Sequence, residues 1–479
     1  MKSCDSATRS VSSSAGKRFC LSLAIAVCLS ACRGSPTAAL DAAAEFYVRA
    51  ALALGERDAD SLDIYYGPGA WRADARARHL PLDDIRAATV PFIASLDGRP
   101  FDNAEAEVRR LFLLRQTRAI VSRVDIVRGA RPSFSEEART LFGWSGQDGR
   151  DRQDGSASAA YAATARPASA ADAASASPQE ALRRDQTARQ ASDVYAELGR
   201  LLPGAGDLSA RYTAFDGRFL IRRDRLPAVL SRAIDGCRAA TREHVTLPPG
   251  ERIDVGYVPD LAWSAYTRYQ GHASSRIQIN EALPLTVDRA LDLACHEAYP
   301  GHHTIDSLLD ARFGGRRIEF VVRPLFSPQS MLHEAAASLA VEVAFPGPAR
   351  LAFERDALFP LAGLTPSDAD RYVHVGRLVD QLQGVQSRIA RQYLDGELDF
   401  TRASAALERD ALMPSADATL KFLNRFRSYG ATYTIGRDAL SRYLDAHSTA
   451  DDPASRWRAY INVVTDAAQM LPSGSERQP

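Results

Sequence analysis

Over most of this chain apolar residues recur every three or four positions, the spacing of one buried face on an α-helix. Within 41–56 they fall at Ala44, Tyr47, Val48, Ala51 and Leu52, and Gly55 closes the segment. Two further helical patterns cover 83–99 and 103–128, the second carrying Val108, Leu111, Phe112, Leu114 and Ile120. Ser133 and Glu136 have the spacing of a capping box, which opens a short helix to Leu141. Helical spacing returns over 181–202 (Ala191, Val194, Tyr195, Leu198, Leu201), ended by Pro203 and Gly204, and over 226–242 (Leu226, Val229, Leu230, Ile234, Cys237). The period changes to two at 253–257 and again at 275–280, which predicts strands on either side of an aromatic-rich stretch, 263–269. The run from Tyr65 to Gly69 reads as a turn. Asn280 begins another turn, into a helix over 285–299 with Leu291 and Ala294 facing inward. The pattern predicts a mainly α fold with a small β-hairpin or sheet beside that last helix. The strand edge there offers main-chain pairing to an extended peptide.

Composition refines this picture in two places. From 156 to 178, 12 of 23 residues are Ala and 5 are Ser, too few large apolar groups to offset the entropy of ordering. The span 148–180 therefore reads as a linker or insertion between an N-terminal helical part, 33–147, and a longer part, 181–475. Near the start, Lys17 and Arg18 precede an apolar run over 19–29, then Ser30, Ala31 and Cys32. A basic region, a short apolar core and small residues describe a secretory signal, and the run is too short to span a bilayer. Leu29 to Cys32 resembles a bacterial lipobox, which implies cleavage before Cys32 and lipid attachment to it. Residues 34–40 then read as a tether. Arg33 after the cysteine, by the same resemblance, points to the outer membrane facing the periplasm.

Lys plus Arg and Asp plus Glu both number 59, so the net charge is zero and nothing argues for a nucleic-acid or anionic-membrane surface. The membrane is reached through the lipid anchor alone. Beyond the first 32 residues only Cys237 and Cys295 remain, too few for a disulfide scaffold. They read as two buried thiols, with a bridge between them as the alternative in an oxidising compartment.

Chemistry concentrates at 296–303, where three of the nine histidines lie beside a carboxylate: His296, Glu297, Ala298, Tyr299, Pro300, Gly301, His302, His303. Two imidazoles and a carboxylate suit zinc. In H-E-x-x-H the two rings share one helix face, and the Glu takes a proton from the attacking water. Here the second His is late. On a straight helix the sixth position turns to another face, and the seventh lies about 10 Å along the axis. Pro300 breaks the helix, because it gives no N–H to the His296 carbonyl and its ring clashes there. Gly301 opens dihedrals closed to other residues. Pro-Gly thus reads as a two-residue bulge that returns His302 to the place of the second ligand, with His303 the alternative. A helix C-terminus with histidines near its last carbonyls is the plain reading of the same residues.

The 296–303 motif, the upstream strand ending in Asn280 and a later Glu on an Ala-rich helix together resemble the bacterial family called domain of unknown function 885. That family resembles the mainly helical gluzincin metallopeptidases, and the likeness runs from about 41 to about 471. It implies a large helical domain with a cleft and zinc held by His296, His302 and Glu334, the last lying 37 residues after Glu297. It also implies Glu297 as general base and a peptide substrate, another small amide being equally served by the same apparatus. The family has Gly-Trp after its later Glu, where this chain has Ala335 and Ala336. Ser338 and Glu342 share the face of Glu334 and are candidates to orient the histidines. The stretch from Tyr429 to Gly436 resembles the family's late Tyr-x-x-Gly segment, making Tyr433, with Tyr429 in reserve, a candidate donor to the oxyanion. A non-catalytic envelope lipoprotein with a structural metal site is the rival reading, and a fourth protein ligand such as His303 or His333 would favour it.

Overall fold

The computed structural model describes residues 36–143, 178–259, 261, 263–449 and 452–466. The signal stretch, Cys32 and nearly all of the Ala/Ser-rich segment lie outside them. Among the described residues helices dominate, joined by one two-stranded and one three-stranded sheet.

The predicted helices fall close to their expected bounds: Leu82–Asp97, Ala104–Val127, Pro178–Leu201 and Leu226–His244. Phe134–Phe142 is opened by the capping box, with Ser133 and Glu136 each satisfying the other's backbone N–H. The first helix, Pro36–Gly55, starts upstream of its expected beginning, so 36–40 is helix rather than tether. The cause is packing: Leu40 continues the stripe of Ala43, Ala44 and Tyr47 and is buried with them.

Ala104–Val127 runs through the centre of this half, its Phe112, Leu113, Val121 and Val124 almost wholly buried. Burial on all sides forces its arginines to find partners. Arg109 clasps Glu319 through two nitrogens at 2.7 and 2.9 Å and reaches Asp41 at 2.6 Å. Residues from 40 to 464 share one apolar core, which joins the N-terminal helices to the remainder.

β1 (Leu62–Tyr65) adds a strand where the sequence pattern gives only a turn after Tyr65, and it pairs antiparallel with β5 (Val322–Pro324). In the larger sheet β2 (Arg252–Val258) and β4 (Ser274–Asn280) are the two expected strands, but they run parallel and form no hairpin. The aromatic stretch supplies the third, β3 (Ala265–Tyr269), antiparallel to β4. β4 is thus the middle strand, with both edges occupied, and cannot offer an edge to a peptide.

Cys237 and Cys295 form a disulfide, contrary to the expectation of two free thiols. The helices Leu226–His244 and Val287–Glu297 lie side by side, which brings the two Cα atoms to 5.5 Å, within bridging range.

Candidate metal centre

Val287–Glu297 presents Leu291 and Ala294 to the core and carries His296 and Glu297 in its last turn. The helix ends at Ala298, the Tyr299–Pro300 peptide is cis, and a new helix, His302–Phe313, begins. Two hydrogen bonds stitch the break. Gly301 N–H donates to the Cys295 carbonyl at 3.0 Å, and Thr304 N–H to the Ala298 carbonyl at 3.2 Å. Each spans six residues instead of the helical four, so the chain absorbs two extra residues, as the bulge reading requires. The break is wide enough to separate two helices rather than swell one. Only glycine fits at 301, since a Cβ there would lie 1.8 Å from the His296 carbonyl oxygen and 2.4 Å from that of Cys295.

His302 thereby comes beside His296, their ring centroids 4.8 Å apart and nearly perpendicular. Glu334 arrives on Pro328–Ala344, whose alanines 335, 336, 337 and 340 are buried and allow close approach. Its carboxylate lies 3.2 Å from His302 Nε2 and 3.5 Å from His296 Nε2. One donor atom from each of the three residues lies within 4.8 Å of the others, and among the described residues no other such cluster of His, Cys, Asp or Glu occurs. Tyr460 ties the parts together, its hydroxyl donating to the carbonyls of Ala336 at 3.0 Å and Pro300 at 3.3 Å.

Two imidazoles and a carboxylate are a zinc-type donor set. Bonds of about 2.1 Å in a tetrahedron would separate donors by about 3.4 Å; the two Glu334 oxygens lie 3.2 and 3.5 Å from the nearest His nitrogens. Glu334 Oε2 and Glu297 Oε2 are both buried without a hydrogen-bond partner among the described residues, as suits groups that face an ion and its solvent. The residues present fit such an ion.

The electrostatics follow from the crowding. Burial alone would raise the Glu334 carboxyl, but His302 and then His296 outweigh it and hold it well below the usual carboxylate range. Burial pulls the His302 imidazole down, yet Glu334 and Glu297 overcome this and raise it to about 9. For Tyr429 and Tyr433, burial and then the Glu334 charge push both hydroxyls well above the ordinary phenol range, so both remain donors. Tyr433 stacks at 6.3 Å from the His296 ring, whereas Tyr429 packs among Phe142, Phe326, Phe422 and Phe426.

The remaining sequence candidates sit elsewhere. His303 is turned from the centre, with Nδ1 2.8 Å from Ser275 Oγ and Nε2 3.3 Å from Glu251. His333 Nδ1 accepts from Arg323 at 2.5 Å. Glu342 pairs with Arg437 instead of a histidine, and half-buried Ser338 has no hydrogen bond to either ring.

Two groups behind the site escaped the sequence reading. Glu251 gathers His303, the Tyr299 hydroxyl at 2.6 Å and Arg238; burial pushes its carboxyl up, but these hydrogen bonds hold it down to about 2. Arg323, wholly buried, donates to Asp63 at 2.7 Å and Asp306 at 2.6 Å. Neither has a local signal, since both act on residues remote in the chain.

No family model matches the chain, and no curated protein matches it. Solved structures similar to it include a protein of unknown function from Shewanella oneidensis, described as a lipoprotein, at 12% identity and a TM-score of 0.40, covering 84% of this chain and 74% of that one. Another is a carboxypeptidase from Pyrococcus furiosus, also at 12% identity and 0.40, covering 92% of this chain and 94% of that one. Among the described residues no helix is long and apolar enough to cross a membrane.

Proposed function

We propose that this chain is a zinc-dependent hydrolase, most simply a peptidase, held to the bacterial envelope by a lipid on Cys32. The observation that carries the reading is the convergence of His296, His302 and Glu334 beside Glu297, whose Oε2 is buried and without a hydrogen-bond partner among the described residues. An ion bound by these three would lower the pKa of a water and polarise a substrate carbonyl. Glu297 accepts that water's proton as the carbonyl is attacked, then passes it to the departing amine. Tyr433, kept protonated, donates a hydrogen bond to the carbonyl oxygen as negative charge gathers there.

Three protein ligands leave room for solvent, which favours a catalytic over a structural ion. Two observations support this: Ser275 and Glu251 engage both nitrogens of His303, and among the described residues His333 does not join the cluster of His296, His302 and Glu334. Peptides as substrates rest on the likeness of 296–303 and Glu334 to domain of unknown function 885 and the gluzincins.

The test pairs elemental analysis with a peptide-library cleavage assay on wild type and Glu297→Gln. The reading expects one zinc per chain in both and cleavage in wild type only. Undiminished cleavage by the Gln variant would exclude Glu297 as the base.

A further inference from the structure

On the helix His302–Phe313, Asp306 follows His302 by four residues, the spacing that brings two side chains together on one helix face. Both are buried, and each has one atom without a hydrogen-bond partner among the described residues: His302 Nδ1 and Asp306 Oδ2. The other atom of each is engaged. His302 Nε2 faces Glu334 at 3.2 Å, and Asp306 Oδ1 accepts from Arg323 Nη1 at 2.6 Å. Buried polar atoms seldom stay unpaired, and this donor and this acceptor are a helical turn apart.

We infer that Asp306 is the positioning residue for the metal site, its Oδ2 accepting the His302 Nδ1 proton so that Nε2 presents its lone pair to the ion. The inference rests on the ligand set proposed above. A metal-bound histidine needs its proton on the far nitrogen, and a carboxylate there fixes both tautomer and ring angle. Arg323 holds Asp306 in place and is itself anchored by Asp63 at 2.7 Å. The conservative variant Asp306→Asn shows why charge matters. An asparagine side chain has one acceptor oxygen for two donors, so when that oxygen stays on Arg323 the amide would face His302 Nδ1 and favour the wrong tautomer.

Full-length wild type, Asp306→Asn and His296→Ala would be stripped with chelator and titrated with zinc alone against a competing chelator. Melting curves of the stripped proteins show whether each is folded. In the zinc-loaded wild type, nitrogen-15-labelled histidine would be observed by NMR. The inference expects 10- to 100-fold weaker zinc binding by a folded Asp306→Asn. It also expects a slowly exchanging, downfield Nδ1 proton from His302 in the wild type. Zinc-loaded wild type lacking that proton would overturn the role of Asp306, whether or not the variant folds, and so would unchanged affinity in a folded Asp306→Asn. If instead wild type binds no zinc, or His296→Ala binds it equally, the ligand set itself is wrong.

Discussion

Cys295 is bridged to Cys237, so the residue immediately before His296 is fastened to a neighbouring helix 58 positions earlier in the chain. The bond steadies the last turn of the helix that carries His296, where the chain is about to break. Replacing Cys237 with Ser is expected to destabilise the protein by about 2–4 kcal/mol. Denaturant unfolding of the two forms measures this. An unchanged midpoint would mean the bridge is absent in the folded protein.

Gly301 has no room for a side chain, as its would-be Cβ meets the backbone oxygen of His296 at 1.8 Å. Gly301→Ala must therefore push the two helices apart and carry His302 from His296. The expected cost is about 1–3 kcal/mol or more, with loss of zinc binding. Calorimetry together with zinc content after dialysis would show it, and a variant that melts and binds like wild type would refute the tight turn.

His302 gives a pH dependence with a definite sign. Its folded-state pKa of about 9 lies above the ordinary histidine value, so its pairing with Glu334 stabilises the protein fully below about 6.5. That contribution, on the order of 3 kcal/mol, is lost as pH rises through 9. Chelator-stripped protein should therefore melt at progressively lower temperature from pH 6.5 to pH 9.5. The same imidazole must lose a proton to bind metal, so zinc uptake at pH 7.5 should release protons and tighten as pH rises. A melting temperature that climbs over this range would contradict the assignment.

Tyr433 and Tyr429 pack edge to face at 5.8 Å, and they differ in what else they touch. Tyr433 stacks on the His296 ring at 6.3 Å, while Tyr429 is held in an aromatic cluster. Tyr433→Phe is expected to keep its zinc and lose about 100- to 1,000-fold in kcat, the usual cost of an oxyanion donor. Tyr429→Phe should lose far less. Steady-state kinetics on any cleaved peptide decides between them, and the opposite ranking would exchange the two roles.

The parts of this architecture that were legible in the sequence are local ones. Helical stripes, the Ser133–Glu136 capping box and the Pro300–Gly301 break each depend on residues within a few positions of one another. The pair His296 and His302 could be read because the distortion between them is written in the same eight residues. Glu334 was reached only by family resemblance, since nothing near it marks it out from a carboxylate at a helix start. What stayed hidden depends on long-range pairing. β4 became a middle strand because an aromatic stretch folded back on it, and the disulfide depends on two helices lying side by side. Arg323 meets Asp63 across 260 residues and Glu251 meets His303 across 52, separations at which single charged residues carry no pattern. Glu342 belongs with these, because Arg437, 95 positions further along the chain, claims its carboxylate.

The most direct test is the zinc content of wild type and of three single variants, His296→Ala, His302→Ala and Glu334→Ala, each confirmed folded and dialysed against the same dilute zinc. One ion per chain in wild type and almost none in any of the three is the expected result. Retention of a full equivalent by any one of them would contradict a shared ion at this centre.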